Sequence, residues 1–146
     1  PGVTVVNTTP TKKFTFMMTE EEKAEVRERN AKEFLEVVEM AKKYANRTWF
    51  VHLRSCHIFE NGDFTEASHL GGRADIIELA RIFEKANPNL PMRVDHGMTM
   101  LGDENRGYNA GYSFLGRMFA LGQVQGILAT VDRELGIEYK QPGFYE

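Results

Sequence analysis

Histidine, arginine and aspartate collect at the ends of two apolar runs. Arg47 to Ser55 closes on His52-Leu53-Arg54-Ser55, and roughly forty residues later Met92-Arg93-Val94 leads into Asp95-His96-Gly97. Side chains alternate between the faces of a strand. His52 and Arg54 therefore point one way, as do Arg93 and Asp95, with Leu53 and Val94 opposite. Groups of these types transfer protons and bind ions. Parallel α/β folds place such chemistry at the tail ends of their strands, where packing makes fewer demands.

The elements that position these residues are legible in the spacing of apolar and capping residues. Thr19 followed by Glu22 has the spacing of a capping box. A helix is expected from there to about Tyr44, with Phe34, Val37, Val38, Ala41 and Tyr44 as its apolar stripe and its charge run as a solvated face. A strand follows over Thr48 to Leu53, then a polar loop from Ser55 to about Arg73 that contains Asn61-Gly62-Asp63 and Gly71-Gly72. Asp75 can cap a second helix whose apolar positions are Ile76, Leu79, Ala80 and Phe83, and Asn87-Pro88 ends it. The strand Pro91 to Asp95, a Gly-rich loop to Gly111 and helical segments carrying Phe114, Leu115, Met118, Val124, Ile127, Leu128, Val131 and Leu135 complete the order. Met98, Met100 and Met118 read as core filling. Strand, long loop and helix, repeated once, predict βα units on a parallel sheet. The segment 1–18 is weakly defined, with a short strand possible at Phe14 to Met17.

A chain of 146 residues makes one domain by length. Its net charge of −3 gives no broad electropositive field for nucleic acid. Cys56, the one cysteine, excludes an intramolecular disulfide. No apolar stretch approaches the roughly 20 residues needed to cross a bilayer, so a soluble, cytoplasmic protein without a membrane partner is expected.

Long loops on the strand-to-helix side invite a functional reading. Here they hold His57, Glu66, His69, Asp103, Arg106 and Tyr112. Together with His52 to Ser55, the runs Glu66-Ala67-Ser68-His69-Leu70-Gly71-Gly72, Pro91-Met92-Arg93-Val94-Asp95-His96-Gly97 and Gly111-Tyr112-Ser113-Phe114-Leu115-Gly116-Arg117 resemble the C-terminal part of mannonate dehydratase, from about Glu33 to Val131. The resemblance implies the last two or three βα units of a TIM-type, xylose isomerase-like (β/α)8 barrel. It further implies a manganese or iron ion, Mn2+ or Fe2+, and a hydro-lyase of glucuronate catabolism that converts D-mannonate to 2-keto-3-deoxy-D-gluconate and water. On the matching positions, His52 and Asp95 would be metal ligands and His96 and Tyr112 the catalytic proton-transfer pair. Arg54, His69 and Arg93 would hold the sugar acid.

Such chemistry suits these residue types. A proton removed beside a carboxylate leaves a dianionic species that calls for an electrophile, and a second group must protonate the departing hydroxyl. Asp95 and His96 are neighbours, so the strand must end or bend near Gly97 for both to reach one site. Other uses stay open: Arg54 and Arg93 could pair with carboxylates, His69 could staple its loop, and Tyr112 could pack at a helix start. The family's remaining βα units, and a histidine and a cysteine ligand with them, have no counterpart here, and Met17 falls near the expected thiolate. Two or three strands cannot close a barrel, so the chain is expected either to be a C-terminal fragment or remnant of such an enzyme or to assemble as a homo-oligomer or with a complementary chain. The alternatives are a non-catalytic sugar-acid-binding or assembly remnant, or a metal-dependent isomerase or epimerase of the same group.

Overall fold

The computed structural model describes residues 18–103 and 112–139, with the side chains of 30, 31 and 33–36 excepted. The strand expected at Phe14 to Met17, the Met17 position, Phe34 of the first helix's stripe and Arg106 lie outside the described residues and side chains. The first helix, α1 (Glu20–Tyr44), begins at the anticipated capping box: Thr19 Oγ1 accepts from the Glu22 N–H at 3.2 Å, and Glu22 Oε2 accepts from the Thr19 N–H at 2.9 Å. Its inner face is Val37, Val38 and Ala41, and a 3-10 turn at Ala45–Arg47 carries the chain into the sheet.

Strand β1 (Val51–Leu53) is shorter than the apolar run that announced it. It lies parallel to β4 (Met92–Val94), pairing Val51 with Met92, His52 with Arg93 and Leu53 with Val94. The Val51 N–H donates to the Pro91 carbonyl at 3.0 Å, and the ladder goes no further back because Pro91 has no N–H to return. Trp49 and Phe50, expected within the strand, are consequently exposed.

The stretch expected as a polar loop contains a hairpin. Strand β2 (Cys56–Ile58) pairs antiparallel with β3 (Phe64–Glu66) across a turn in which Gly62 has φ 83°, so Asn61-Gly62-Asp63 is the turn of a hairpin rather than a bend in a loop. Three-residue strands with largely exposed faces carry no apolar alternation, which is why only the turn was visible beforehand.

Helix α2 (Ile76–Ala86) matches its expectation closely. Asp75 Oδ1 caps the Glu78 N–H at 2.9 Å, and Ile76, Leu79, Ala80 and Phe83 are all buried. Burial of the three larger side chains contributes on the order of 1.5–3 kcal/mol each. Helix α3 (Phe114–Leu135) is one continuous helix, ended by Gly136 at φ 70°. It buries Ala120, Val124, Ile127 and Val131, while Phe114, Leu115 and Met118 are exposed. Reading Met118 as core filling was therefore incorrect: the buried stripe begins at Gly116 and steps to Ala120. Met98 and Met100 are half-buried.

α3 also corrects the expectation about apolar stretches. Its 22 residues include a window of mean hydropathy 1.2, long and apolar enough to cross a membrane by length and composition alone. Small and apolar residues dominate it, and the charges gather near its ends. Here α3 packs on α2 and β4 and supplies part of the core shared with Val51, Leu53, Leu79, Phe83 and Val94. The result is a mixed α/β arrangement of a two-stranded parallel sheet, an antiparallel hairpin and three helices among the described residues.

Candidate active site

The burial of Val51 and Leu53 turns His52 outward from β1, and pairing with Arg93 puts that arginine, also exposed, on the same side. Phe50 meets the His52 ring edge-on with centroids 4.7 Å apart. One residue past the end of β4, the Asp95 N–H donates to the Leu53 carbonyl at 3.0 Å, continuing the ladder by one bond. That bond sets the Asp95 carboxylate between two imidazoles: Oδ1 is 3.6 Å from His52 Nδ1, and Oδ2 is 3.5 Å from His96 Nε2.

Consecutive residues on a regular strand would face apart. Asp95 and His96 converge because β4 ends at Val94, earlier than the bend anticipated at Gly97. Gly97 has a different use. A Cβ there would run into the Gly116 carbonyl group, and one on Gly116 would strike the Met98 carbonyl. The chain after β4 thus lies directly on the first turn of α3, where Ser113 Oγ caps the Gly116 N–H at 3.0 Å. This contact brings Tyr112, two residues before α3, to His96: the phenol oxygen is 3.3 Å from Nε2 and the rings meet edge-on at 4.6 Å.

The hairpin closes the other side. Glu66, at the end of β3, receives Arg54 Nε on Oε2 at 3.1 Å and Arg54 Nη2 on Oε1, a two-pronged pair. Glu66 Oε1 is also 3.4 Å from His96 Nδ1. The pairing holds the Arg54 guanidinium above its ordinary pKa, chiefly through the hydrogen bond to Glu66. Cys56 lies 3.8 Å from Glu66, and burial pushes its thiol up, with the Glu66 charge adding to the effect. A thiol so shifted is a poor nucleophile.

Six residues form one connected group: His52, Asp95, His96, Tyr112, Glu66 and Arg54. Five of them were marked in the sequence as site residues, while Glu66 was noted as a loop residue and as part of a motif but given no role. The available signal was the possibility that Arg54 pairs with a carboxylate. His69 stands apart. It is 1% exposed, its Nε2 hydrogen-bonds the Leu53 carbonyl at 3.0 Å, and its backbone N–H donates to Gln123 Oε1 at 3.0 Å. A carbonyl only accepts, so Nε2 carries the proton. His69 ties the loop after β3 both to β1, under the site, and to α3.

Among the described residues no group of three or more His, Cys, Asp or Glu side chains is arranged to hold a metal ion. His52 and Asp95 supply two donors 3.6 Å apart. That is close to the roughly 3.0–3.5 Å separating neighbouring ligands bonded at about 2.1 Å to one ion. The pair fits two positions of a coordination sphere, and an imidazole with a carboxylate suits manganese or iron.

A model of the D-mannonate dehydratase (UxuA) family matches residues 23–138. Mannonate dehydratase 2 of Agrobacterium fabrum is 39% identical over 109 residues, covering 68% of this chain and 28% of that protein. A mannonate dehydratase of a Marinomonas species is 38% identical over 113 residues, covering 70% of this chain and 27% of its own. One of Saccharophagus degradans is 33% identical over 108 residues, covering 66% and 27%. The chain thus spans less than a third of the length of the curated relatives it matches.

Proposed function

The chain belongs to the D-mannonate dehydratase (UxuA) family, and from that membership we propose that it carries one part of the active site of an enzyme that removes water from D-mannonate to give 2-keto-3-deoxy-D-gluconate. The observation that supports this most is the convergence of His52, Asp95, His96 and Tyr112, from the ends of two parallel strands and the start of α3, within 3.3–3.6 Å of one another in sequence of contact. The two-stranded parallel sheet, with helices α2 and α3 following its strands, reads as the last two or three βα units of a xylose isomerase-like (β/α)8 barrel. Further chain of the family, or other copies, would complete it. A cytoplasmic setting belongs to the same reading.

In this account His52 and Asp95 would hold a divalent ion, Mn2+ or Fe2+, as two of its ligands. When bound, the ion supplies an electrophile for the oxygens of the sugar acid. His96 and Tyr112 move protons. Dehydration takes one proton from the carbon beside the carboxylate and gives one to the hydroxyl leaving the next carbon, and the enol that remains tautomerises to the 2-keto acid. Nε2 of His96 and the Tyr112 hydroxyl, 3.3 Å apart, can exchange a proton directly. Arg93, exposed on the His52 side, and Arg54, which also pairs with Glu66, would attract the carboxylate of the sugar acid. His69 is enclosed, and its part is to hold the floor of the site through the Leu53 carbonyl.

The test is turnover. The chain is incubated with D-mannonate and Mn2+ or Fe2+, alone and mixed with the unmatched remainder of the Agrobacterium relative, and product is read by mass. Loss of one water separates dehydration from isomerisation. Formation of the 2-keto acid that disappears with His96→Asn supports the reading. No product in either mixture, or product indifferent to that substitution, overturns it.

A further inference from the structure

We infer that Glu66 is the positioning residue that fixes which nitrogen of His96 carries the proton, and that Arg54 holds the Glu66 carboxylate in place for this task. The inference deepens the functional reading above and rests on it for the meaning of His96, although the geometry stands by itself. The Glu66 side chain is only 7% exposed, and a carboxylate that deep needs a cation or several donors to remain charged. Arg54 provides both, with Nε on one oxygen and Nη2 on the other. An ionised carboxylate can only accept.

His96 presents Nδ1 to that acceptor at 3.4 Å, and Nδ1 is buried and makes no hydrogen bond in the structure. The pairing is longer than a standard hydrogen bond, as is common for groups that tighten when a substrate binds. A neutral imidazole has one donor and one acceptor nitrogen, so a proton on Nδ1 leaves the lone pair on Nε2. Nε2 is the atom that faces Tyr112 and Asp95. Glu66 thus aims the basic nitrogen of His96 at the group with which it exchanges a proton. Asp95 competes for the opposite tautomer at 3.5 Å, but its side chain is 29% exposed and it is shared with His52. The more enclosed carboxylate exerts the stronger hold, because solvent screens it less.

The tautomer is read directly by long-range 1H–15N NMR of the imidazoles in the intact chain, without metal or substrate and at alkaline pH. His96 is assigned by the signal lost in His96→Asn. Expected are a pyrrole-type shift at Nδ1 and a pyridine-type shift at Nε2 in the native chain, reversal of the two in Glu66→Gln, and restoration in Glu66→Asp. His69, bound to a backbone carbonyl, keeps its pattern throughout and reports an intact fold. If Glu66→Gln does not fold, Arg54→Gln takes its place. That variant is expected to lose the native pattern at least partly, since Glu66 then lacks the two donors that hold it against His96. A native chain with the proton on Nε2, or a folded variant of either kind with an unchanged His96 pattern, overturns the inference. Absence of turnover together with the expected tautomer would remove the functional reading and leave this one standing.

Discussion

Replacing Glu84 with glutamine should change how the stability of the chain depends on pH, and the size and sign follow from where Glu84 sits. It lies on the inner face of α2 at 5% exposure, against Asp132 of α3 at 6%, so two carboxyl groups share the seam between the helices. Burial, then the charge of Asp132, then a hydrogen bond to it push Glu84 up from 4.5 to about 7. The folded chain therefore holds this proton more tightly than the unfolded chain does. The stabilisation is complete below about pH 4.5 and is lost as the pH rises through about 7. At about 1.4 kcal/mol for each unit of pKa, the loss reaches about 3 kcal/mol as an upper figure. Glutamine keeps a donor towards Asp132 and has no proton to lose. Urea unfolding of both chains across this pH range gives the difference, in which titrations common to both cancel. Glu84→Gln should be as stable as the native chain or slightly less so in acid, and more stable by about 1–3 kcal/mol above pH 8. A difference that stays flat with pH, or that turns against the variant at high pH, would refute the reasoning.

Gly97→Ala should destabilise the chain by about 1–3 kcal/mol in urea, because its methyl group meets backbone of α3 that has no rotamer with which to move aside. The same substitution should weaken the nuclear Overhauser contacts between the His96 and Tyr112 rings, and unchanged contacts would contradict the role given to this close approach. Thr19→Ala, which removes one half of the capping box, should cost about 1 kcal/mol and increase amide exchange in the first turn of α1. Equal exchange in both chains would mean that the box contributes nothing.

The sequence was most informative where a local rule and a tertiary need agreed. At Thr19 and Asp75 the capping residues mark helix starts that the packed faces also require, and both helices begin there. The apolar positions of α2 were legible for the same reason. The hairpin was not, since three-residue strands exposed to solvent leave only their turn as a trace. The outward placement of Phe114, Leu115 and Met118 was hidden as well: apolar character continues across both faces at the start of α3, and only the contact between Gly97 and Gly116 decides which face turns inward. Within the site, the collection of polar residues at two strand ends drew attention to His52, Asp95 and His96, and the family resemblance supplied their expected roles, although alternation alone would have set Asp95 and His96 on opposite faces. Glu66 escaped because its role depends on a hairpin folding back over the strand ends, a relation that no spacing along the chain records.

Paramagnetic broadening by Mn2+ tests most directly whether the ends of β1 and β4 present a shared pair of metal donors. With Mn2+ titrated into the isotope-labelled chain, the account predicts that the signals of His52 and Asp95 broaden first, those of His96 and Tyr112 next, and that Asp95→Asn abolishes the pattern. Broadening centred on another acidic surface, or a pattern around His52 that survives Asp95→Asn, would contradict it.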